Sequence, residues 1–253
     1  MVDISAALTR IDRDISIKKL RLRIMIRAIL WDIDGTLLDF KAAERQAMKN
    51  CFTVYELGEC SDEMIERYAK INDEYWELLE RGGISRQELF SARFRDFFEV
   101  EGIPFSEYEA FNKEYQAQLG EMVIFRDNGY ELIKELKGQV KQYAVTNGSF
   151  NVQSRKLEKS GLIELFDDCF ISDQIGVEKP SVEFFNHVKA RIEKVADDEI
   201  LIVGDSLTSD MKGGNNAGIR CCWYNPQKKE YTKGIRIDYE IVNLQEVKNI
   251  LLQ

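Results

Sequence analysis

The stretch RAILWDIDGTLLDF, residues 27–40, carries the clearest evidence for the fold class. It begins with a short run of mainly apolar residues that stops at a polar cluster, which is typical of a buried strand. Further stretches of this kind lie at 140–147, 168–173, 200–205, 219–225 and 239–242. Helical periodicity is found between them, at 127–137, 149–159 and 180–194. Alternating strands and helices predict an α/β fold, a doubly wound, parallel-sheet, Rossmann-like core covered on both faces.

Residues 41–119 interrupt this alternation. They contain no good strand pattern but four helical ones, at about 41–57, 62–81, 85–100 and 106–119. An insertion of this length into one crossover is expected to form an independent helical unit. We therefore predict a helical cap domain at 41–119 over a core formed by 25–40 and 120–253.

Residues 1–24 form an N-terminal extension of uncertain structure. Apolar residues alternate with Arg and Met near its end, so an extra strand or a disordered arm is the simplest interpretation. A basic arm that contacts nucleic acid or a membrane is the more specific alternative, because Lys and Arg outnumber Asp in this segment. Met25 is an alternative start of the chain, since the segment MIRAILWDIDGT, which begins at Met25, leads directly into the first predicted strand.

The composition argues against several classes of function. The 253 residues carry 35 Lys plus Arg and 44 Asp plus Glu, a net charge of −9, so a nucleic-acid polymer is not the expected partner. No apolar stretch reaches the length of a membrane helix, so no membrane partner is expected. Five cysteines without metal-site spacing suggest reduced thiols and a cytoplasmic location. We expect a monomer or a weak homodimer.

Polar residues follow the predicted strands at the edge where ligands bind in open α/β sheets. Those with the chemistry of a site are Asp32 and Asp34, Thr146 and Asn147, Lys179, and Asp205 with Asp210. The carboxylates are hard oxygen ligands that suit Mg²⁺. Asp32 and Asp34 point the same way, so that one can be a nucleophile and the other an acid and base. Lys179, Thr146 and the backbone N–H of Asn147 suit a phosphate group.

The segment DIDGTLLD at 32–39 resembles the first signature of the haloacid dehalogenase superfamily, the aspartate-nucleophile phosphohydrolases. VTNG at 145–148, EKP at 178–180 and GDSLTSD at 204–210 resemble its other three motifs, in order and spacing. The helical insertion is similar to the superfamily's C1-type caps. The runs at 37–47 and 206–226 resemble the pyrimidine 5′-nucleotidases of the YjjG/YfnB kind.

This resemblance implies roles for the residues that match the motifs. Asp32 would attack phosphorus and form an aspartyl-phosphate, and Asp34 would protonate the leaving oxygen and then activate water. Thr146 and Lys179 would bind the phosphoryl group. Asp205, Asp32 and the main-chain oxygen of Asp34 would hold Mg²⁺. Asp210 would support these ligands without binding the ion itself, or would pair with Lys179. Dehalogenase activity is not expected, because dehalogenases of the superfamily lack the second aspartate.

The resemblance implies a Mg²⁺-dependent phosphomonoester hydrolase that acts on a nucleoside 5′-monophosphate, in particular a pyrimidine nucleotide. A sugar-phosphate or phosphoglycolate phosphatase, or a phosphoglucomutase-like phosphotransferase, is the alternative, and a non-catalytic binding protein of the same fold is a third hypothesis. Arg86 and Arg93, seven residues apart, share one face of a predicted cap helix. A solvated surface is the default interpretation for both arginines, and the alternative is that one of them faces the substrate.

Overall fold

The computed structural model describes residues 25–231 and 234–252, so the predictions for residues 1–24 lie outside the described residues. A six-stranded sheet forms its centre, and all of its paired strands are parallel. The strands are β1 (Ala28–Trp31), β2 (Lys141–Thr146), β3 (Asp168–Ile171), β4 (Ile200–Gly204), β5 (Arg220–Tyr224) and β6 (Tyr239–Ile241). Their order, β3-β2-β1-β4-β5-β6, is that of a doubly wound sheet, which confirms the predicted fold class.

The sheet is buried on both faces, which is why its central strands β1 and β4 contain no charged residue. In β1, Ile29 and Trp31 belong to one apolar cluster, whereas Ala28 and Leu30 belong to another on the opposite face. Because β1 lies between β2 and β4, the residues that follow these three strands reach the same edge of the sheet.

Four helices follow β1 before the chain returns to the sheet, as the helical patterns at 41–119 predicted. They are α1 (Phe40–Val54), α2 (Asp62–Glu80), α3 (Arg86–Glu101) and α4 (Tyr108–Glu121), and we call them the inserted helices. Side chains cap the first three, since Asp39, Ser61 and Ser85 each accept a hydrogen bond from a backbone N–H of the first turn. The inserted helices pack around an aromatic-rich apolar cluster that includes Phe52, Phe94 and Phe111.

The remaining helices cover the sheet. They are α5 (Gly129–Leu136), α6 (Phe150–Lys159), α7 (Ser172–Ile175), α8 (Val182–Lys189), α9 (Lys212–Ala217) and α10 (Val247–Leu251). The helix predicted at 180–194 is shorter than expected at both ends. Ser181 caps it by accepting a hydrogen bond from the Glu183 N–H, which leaves Pro180 outside. After Lys189 the N–H groups of Arg191 and Ile192 donate to carbonyl oxygens three residues back, so the α-helix ends there. Within residues 25–231 and 234–252, no helix has the length and hydrophobicity that crossing a bilayer requires.

Candidate active site

Three carboxylates meet at the edge of the sheet. Asp32 follows β1, Asp205 follows β4, and Asp210 lies in the turn of π-helix Leu207–Met211. One oxygen from each lies within 4.8 Å of the other two. The sequence predicted that these residues meet at one edge of the sheet, and the structure adds that β1 and β4 are neighbours.

Lys179 is the cation at the centre of this group. Its ammonium donates hydrogen bonds to Asp32 Oδ1 at 2.8 Å, to Asp210 Oδ1 at 2.7 Å and to the carbonyl oxygen of Val145 at 2.9 Å. Only 1% of the Lys179 side chain is exposed, so these contacts replace water. The pairing with Asp210 is one of the two arrangements that the family resemblance implied.

Asn147 holds the backbone of Lys179 in place. Its Oδ1 accepts a hydrogen bond from the Lys179 N–H, and its Nδ2 donates one to the Lys179 carbonyl oxygen, both at 2.9 Å. The side chain of Asn147 thus serves Lys179, whereas the prediction concerned its backbone N–H as a phosphate donor. Thr146, the last residue of β2, is buried, and its hydroxyl lies 3.4 Å from the Asn147 carbonyl oxygen.

Thr36 and Gly35 join the two strand ends, and neither is among the predicted site residues. The Thr36 hydroxyl donates to Asp32 Oδ2 at 2.8 Å and accepts a hydrogen bond from the Asp205 N–H at 3.1 Å. Gly35 has φ +92°, and a Cβ at this position would lie 2.6 Å from Asp205 Oδ1. The turn therefore requires glycine both for its backbone conformation and for the approach of Asp205.

The cluster of three carboxylates, Asp32, Asp205 and Asp210, places an excess of negative charge in the interior of the protein. Burial, reinforced by the charge of Asp210, raises the pKa of Asp205 to about 6 and raises the pKa of Asp32 well above its usual range. Burial lowers the pKa of Lys179, but the charges of Asp210 and Asp32 outweigh this effect and the net pKa is raised. Since the donors are all hard oxygens and one lysine faces three carboxylates, the group fits a bound Mg²⁺ ion.

Asp34 points to a different set of partners. Lys156 Nζ donates to its two carboxylate oxygens at 2.6 and 2.8 Å, and Gln153 Nε2 donates to Oδ2 at 2.7 Å. Neither Lys156 nor Gln153 is among the predicted site residues. A signal existed in the sequence, because both lie with Val152 and Leu157 on the buried face of α6, where polar side chains are uncommon.

A cavity of about 170 Å³ opens between the sheet edge and the inserted helices. Asp32, Asp34, Lys179, Asp205 and Asp210 line it from the sheet. The inserted helices contribute Phe40, Trp76, Glu80, Arg93, Gln116 and Leu119. Phe40, Trp76 and Glu80 also line an adjoining cavity of about 480 Å³. Trp76 and Glu80 are four residues apart on α2 and hence on one face, but this spacing does not identify what that face contacts.

The prediction of a solvated surface for Arg93 is wrong. The side chain is buried, and it donates to Asn72 Oδ1 at 2.6 Å and to Asn112 Oδ1 at 2.7 Å. Its guanidinium carbon lies 5.0 Å from the centre of the Phe94 ring. Arg93 thus lines the cavity, where Asn72, Asn112 and Phe94 hold it, and the alternative that it faces the substrate stays a prediction.

Glu44 extends this buried polar network. It is 2% exposed, and its Oε1 accepts hydrogen bonds from Asn72 Nδ2 and from the Tyr115 hydroxyl, both at 3.1 Å. Burial, reinforced by the charge of Asp73, raises the pKa of Glu44 to about 7. The carboxyl group can therefore change its charge near neutral pH inside the inserted helices.

The prediction of a solvated surface is also wrong for Arg86, whose side chain is 15% exposed. It donates to Glu178 Oε1 at 2.7 Å and to Ser172 Oγ at 2.9 Å, and the same Ser172 oxygen accepts a hydrogen bond from the Gly148 N–H at 3.3 Å. Unlike Arg93, Arg86 is not part of the wall of the smaller cavity. It connects α3 to the segment that precedes Lys179.

Comparisons with known proteins agree with this geometry. The family model described as "Haloacid dehalogenase-like hydrolase" matches residues 29–224. The chain is 38% identical over 229 residues to the HAD-hydrolase YfnB of Bacillus subtilis, covering 89% of this chain and 95% of YfnB. It is 34% identical to the pyrimidine 5′-nucleotidase PynA of Streptococcus pneumoniae, covering 88% of this chain and 96% of PynA. The pyrimidine 5′-nucleotidase YjjG of Escherichia coli is 27% identical, with 88% and 96% covered.

Among solved structures, YfnB from Bacillus subtilis is similar over almost its whole length. The TM-score is 0.85 at 36% identity, covering 90% of this chain and 99% of that chain. That crystal structure is described as bound to magnesium and as revealing interdomain movement.

Proposed function

The chain belongs to the haloacid dehalogenase-like hydrolase family, and we propose from this membership and from its site that it is a Mg²⁺-dependent phosphatase of small phosphomonoesters. The observation that carries the proposal is the position of Asp32, which lies between Lys179 and Asp205 with Asp34 two residues away. Relatives named as nucleotidases favour an enzyme over a non-catalytic binding protein.

In the first step, an Asp32 carboxylate oxygen attacks phosphorus and the bond to the ester oxygen breaks. Asp34 gives its proton to that oxygen, so the substrate leaves as an alcohol and an aspartyl-phosphate remains. In the second step, Asp34 takes a proton from the attacking water, and the bond from phosphorus to Asp32 breaks. Inorganic phosphate is released and both aspartates return to their starting states.

The phosphoryl group is a dianion that enters a site already rich in carboxylates. Lys179 supplies one positive charge beside Asp32, and Thr146 and the Asn147 N–H complete the proposed phosphate site. Asp32, Asp205 and the main-chain oxygen of Asp34 would hold Mg²⁺, which supplies further positive charge to balance these anions. The magnesium bound in the YfnB structure supports this assignment.

We further propose that 41–119 forms a cap domain and that the substrate is a pyrimidine nucleoside 5′-monophosphate. The cavity wall contributed by the inserted helices contains Phe40 and Trp76, whose aromatic rings suit the flat face of a base. PynA and YjjG, both named as pyrimidine 5′-nucleotidases, support this choice.

Phosphate release in Mg²⁺ tests the proposal, with pyrimidine and purine nucleotides, sugar phosphates, phosphoglycolate and p-nitrophenyl phosphate as substrates. We expect phosphate release from several of these phosphomonoesters and the highest kcat/KM on a pyrimidine nucleotide. Asp32→Asn is expected to abolish release, whereas Asp198→Asn, at an exposed aspartate, leaves it unchanged. Appreciable turnover by Asp32→Asn would refute the covalent mechanism, and a preference for a sugar phosphate would refute the nucleotide assignment.

A further inference from the structure

We propose that Lys156 and Gln153 are positioning residues for Asp34, an inference that rests on the proposed function. They fix the direction of the Asp34 carboxylate and stabilise the negative charge that it carries after giving up its proton. Neither residue belongs to the four motifs that place the chain in its family.

Three hydrogen bonds hold Asp34. Lys156 Nζ contacts Oδ1 at 2.6 Å and Oδ2 at 2.8 Å, so the ammonium bridges both oxygens. Gln153 Nε2 contacts Oδ2 at 2.7 Å. Charge-assisted hydrogen bonds of this length are strong and directional, so the carboxylate has little freedom to rotate.

Lys156 is buried, although lysine side chains are usually exposed, so its contact with Asp34 replaces contact with water. Its side chain is 1% exposed, whereas Asp34 is 18% exposed and lines the cavity. Within residues 25–231 and 234–252, the hydrogen-bond acceptors of Lys156 are the two Asp34 oxygens, and its Nζ lies 5.3 Å from the Phe40 ring centre. A buried charge is costly unless it is paired, and Asp34 is the partner that the described residues offer to Lys156.

Gly148 provides the room that Gln153 needs. A Cβ on Gly148 would lie 2.6 Å from Gln153 Nε2, the atom that donates to Asp34. Gln153 Oε1 is buried and has no hydrogen-bond partner in the described part of the chain. The amide nitrogen is thus directed at Asp34, while the amide oxygen contacts no polar group of the described residues.

The chemical consequence follows from the proton balance. When the bond to the ester oxygen breaks, the O–H bond of Asp34 breaks too, its proton moves to the leaving oxygen, and the carboxylate keeps the electron pair. Lys156 and Gln153 stabilise that carboxylate. A nucleoside alkoxide needs this proton, whereas p-nitrophenolate is stable without it. Loss of Lys156 is therefore expected to slow this first step by different factors for the two esters.

The experiment compares kcat/KM for uridine 5′-monophosphate and p-nitrophenyl phosphate in Mg²⁺, because kcat/KM covers the steps up to departure of the leaving group and not the later hydrolysis of the aspartyl-phosphate, which both esters share. For Lys156→Met we expect kcat/KM on the nucleotide to fall about 100-fold, against less than about threefold on the aryl ester. Gln153→Ala is expected to change the ratio in the same direction by a smaller factor. Lys159→Met is the matched control, because Lys159 lies on the same helix, is exposed and pairs with Glu121 at 2.6 Å. We expect no change of either rate in that variant.

Equal loss on both esters in a variant with a native circular dichroism spectrum would overturn the inference and leave Lys156 a structural role. Unchanged turnover of the nucleotide would overturn it as well. If Lys156→Met does not fold, the ratio of the two rates in Gln153→Ala decides instead. A wild-type protein that hydrolyses neither ester would refute the proposed function itself. An active wild type whose variants lose both activities equally would refute only the positioning role.

Discussion

Replacing Glu44 by glutamine is expected to stabilise the protein in alkali and to leave its stability nearly unchanged in acid. Glu44 is buried, and its Oε1 accepts hydrogen bonds from Asn72 and from Tyr115. A glutamine offers an amide oxygen to the same two donors. Glu44→Gln therefore removes a buried charge while keeping both hydrogen bonds.

The size of the effect follows from the pKa. Burial and the charge of Asp73 raise the pKa of Glu44 from 4.5 to about 7 in the folded protein. A raised pKa means that the folded state holds the proton more tightly than the unfolded state. This contribution to stability is complete below the unfolded pKa and is lost as the pH rises through about 7. At about 1.4 kcal/mol per pH unit, the loss is about 3 kcal/mol.

Urea unfolding, followed by circular dichroism at about pH 4 and about pH 8.5, measures this difference. We expect Glu44→Gln to match the wild type in acid and to exceed its unfolding free energy by up to about 3 kcal/mol in alkali. Glu74→Gln, which removes an exposed carboxylate from α2, is the control and should follow the wild type at both pH values. The same pH dependence in Glu44→Gln and in the wild type would refute the reasoning.

Three further predictions concern the metal and the two arginines. Removal of divalent cations by EDTA is expected to abolish phosphate release, and added Mg²⁺ is expected to restore it. Mg²⁺ should also raise the melting temperature of the wild type but not that of Asp205→Asn. Mn²⁺ should replace Mg²⁺, and Zn²⁺ should do so poorly, because the ligands are hard oxygens; full activity without metal would contradict this prediction. Arg93→Ala is expected to change kcat/KM for a pyrimidine nucleotide several-fold relative to p-nitrophenyl phosphate, whereas an equal loss on both would show that Arg93 only supports the inserted helices. Arg86→Ala removes the hydrogen bonds to Glu178 and Ser172 and is expected to lower kcat/KM for the nucleotide, because Glu178 precedes Lys179. Since the Arg86 side chain is mostly buried, the unfolding free energy is expected to fall as well, by about 1–3 kcal/mol; unchanged kinetics would show that the contact has no part in catalysis.

The sequence was sufficient to predict the six strands and the edge of the sheet at which the polar residues after them lie. A parallel sheet brings the carboxyl ends of its strands to one edge, so Asp32 and Asp205 could be placed at that edge, whereas the direct pairing of β1 with β4 is known from the structure. Contacts between distant elements have no such local rule. Lys156 reaches Asp34 from the buried face of α6, and Arg93 lies in a network formed by three inserted helices. The sequence periodicity identified the helix face of each residue but not the element that it faces.

The central place of β1 in the sheet bears on how the chain becomes structured during synthesis. Among the described strands β1 is the first to leave the ribosome, yet its two neighbours begin at Lys141 and Ile200, after all four inserted helices. Contacts between distant parts of a chain form slowly, because the intervening loop must close before they are made. We therefore expect the inserted helices to collapse around their aromatic cluster first and the sheet to close late. Asp32 would acquire Asp205 as a neighbour only once β4 has emerged, so an incomplete chain would be partly folded yet unable to act on a phosphate ester.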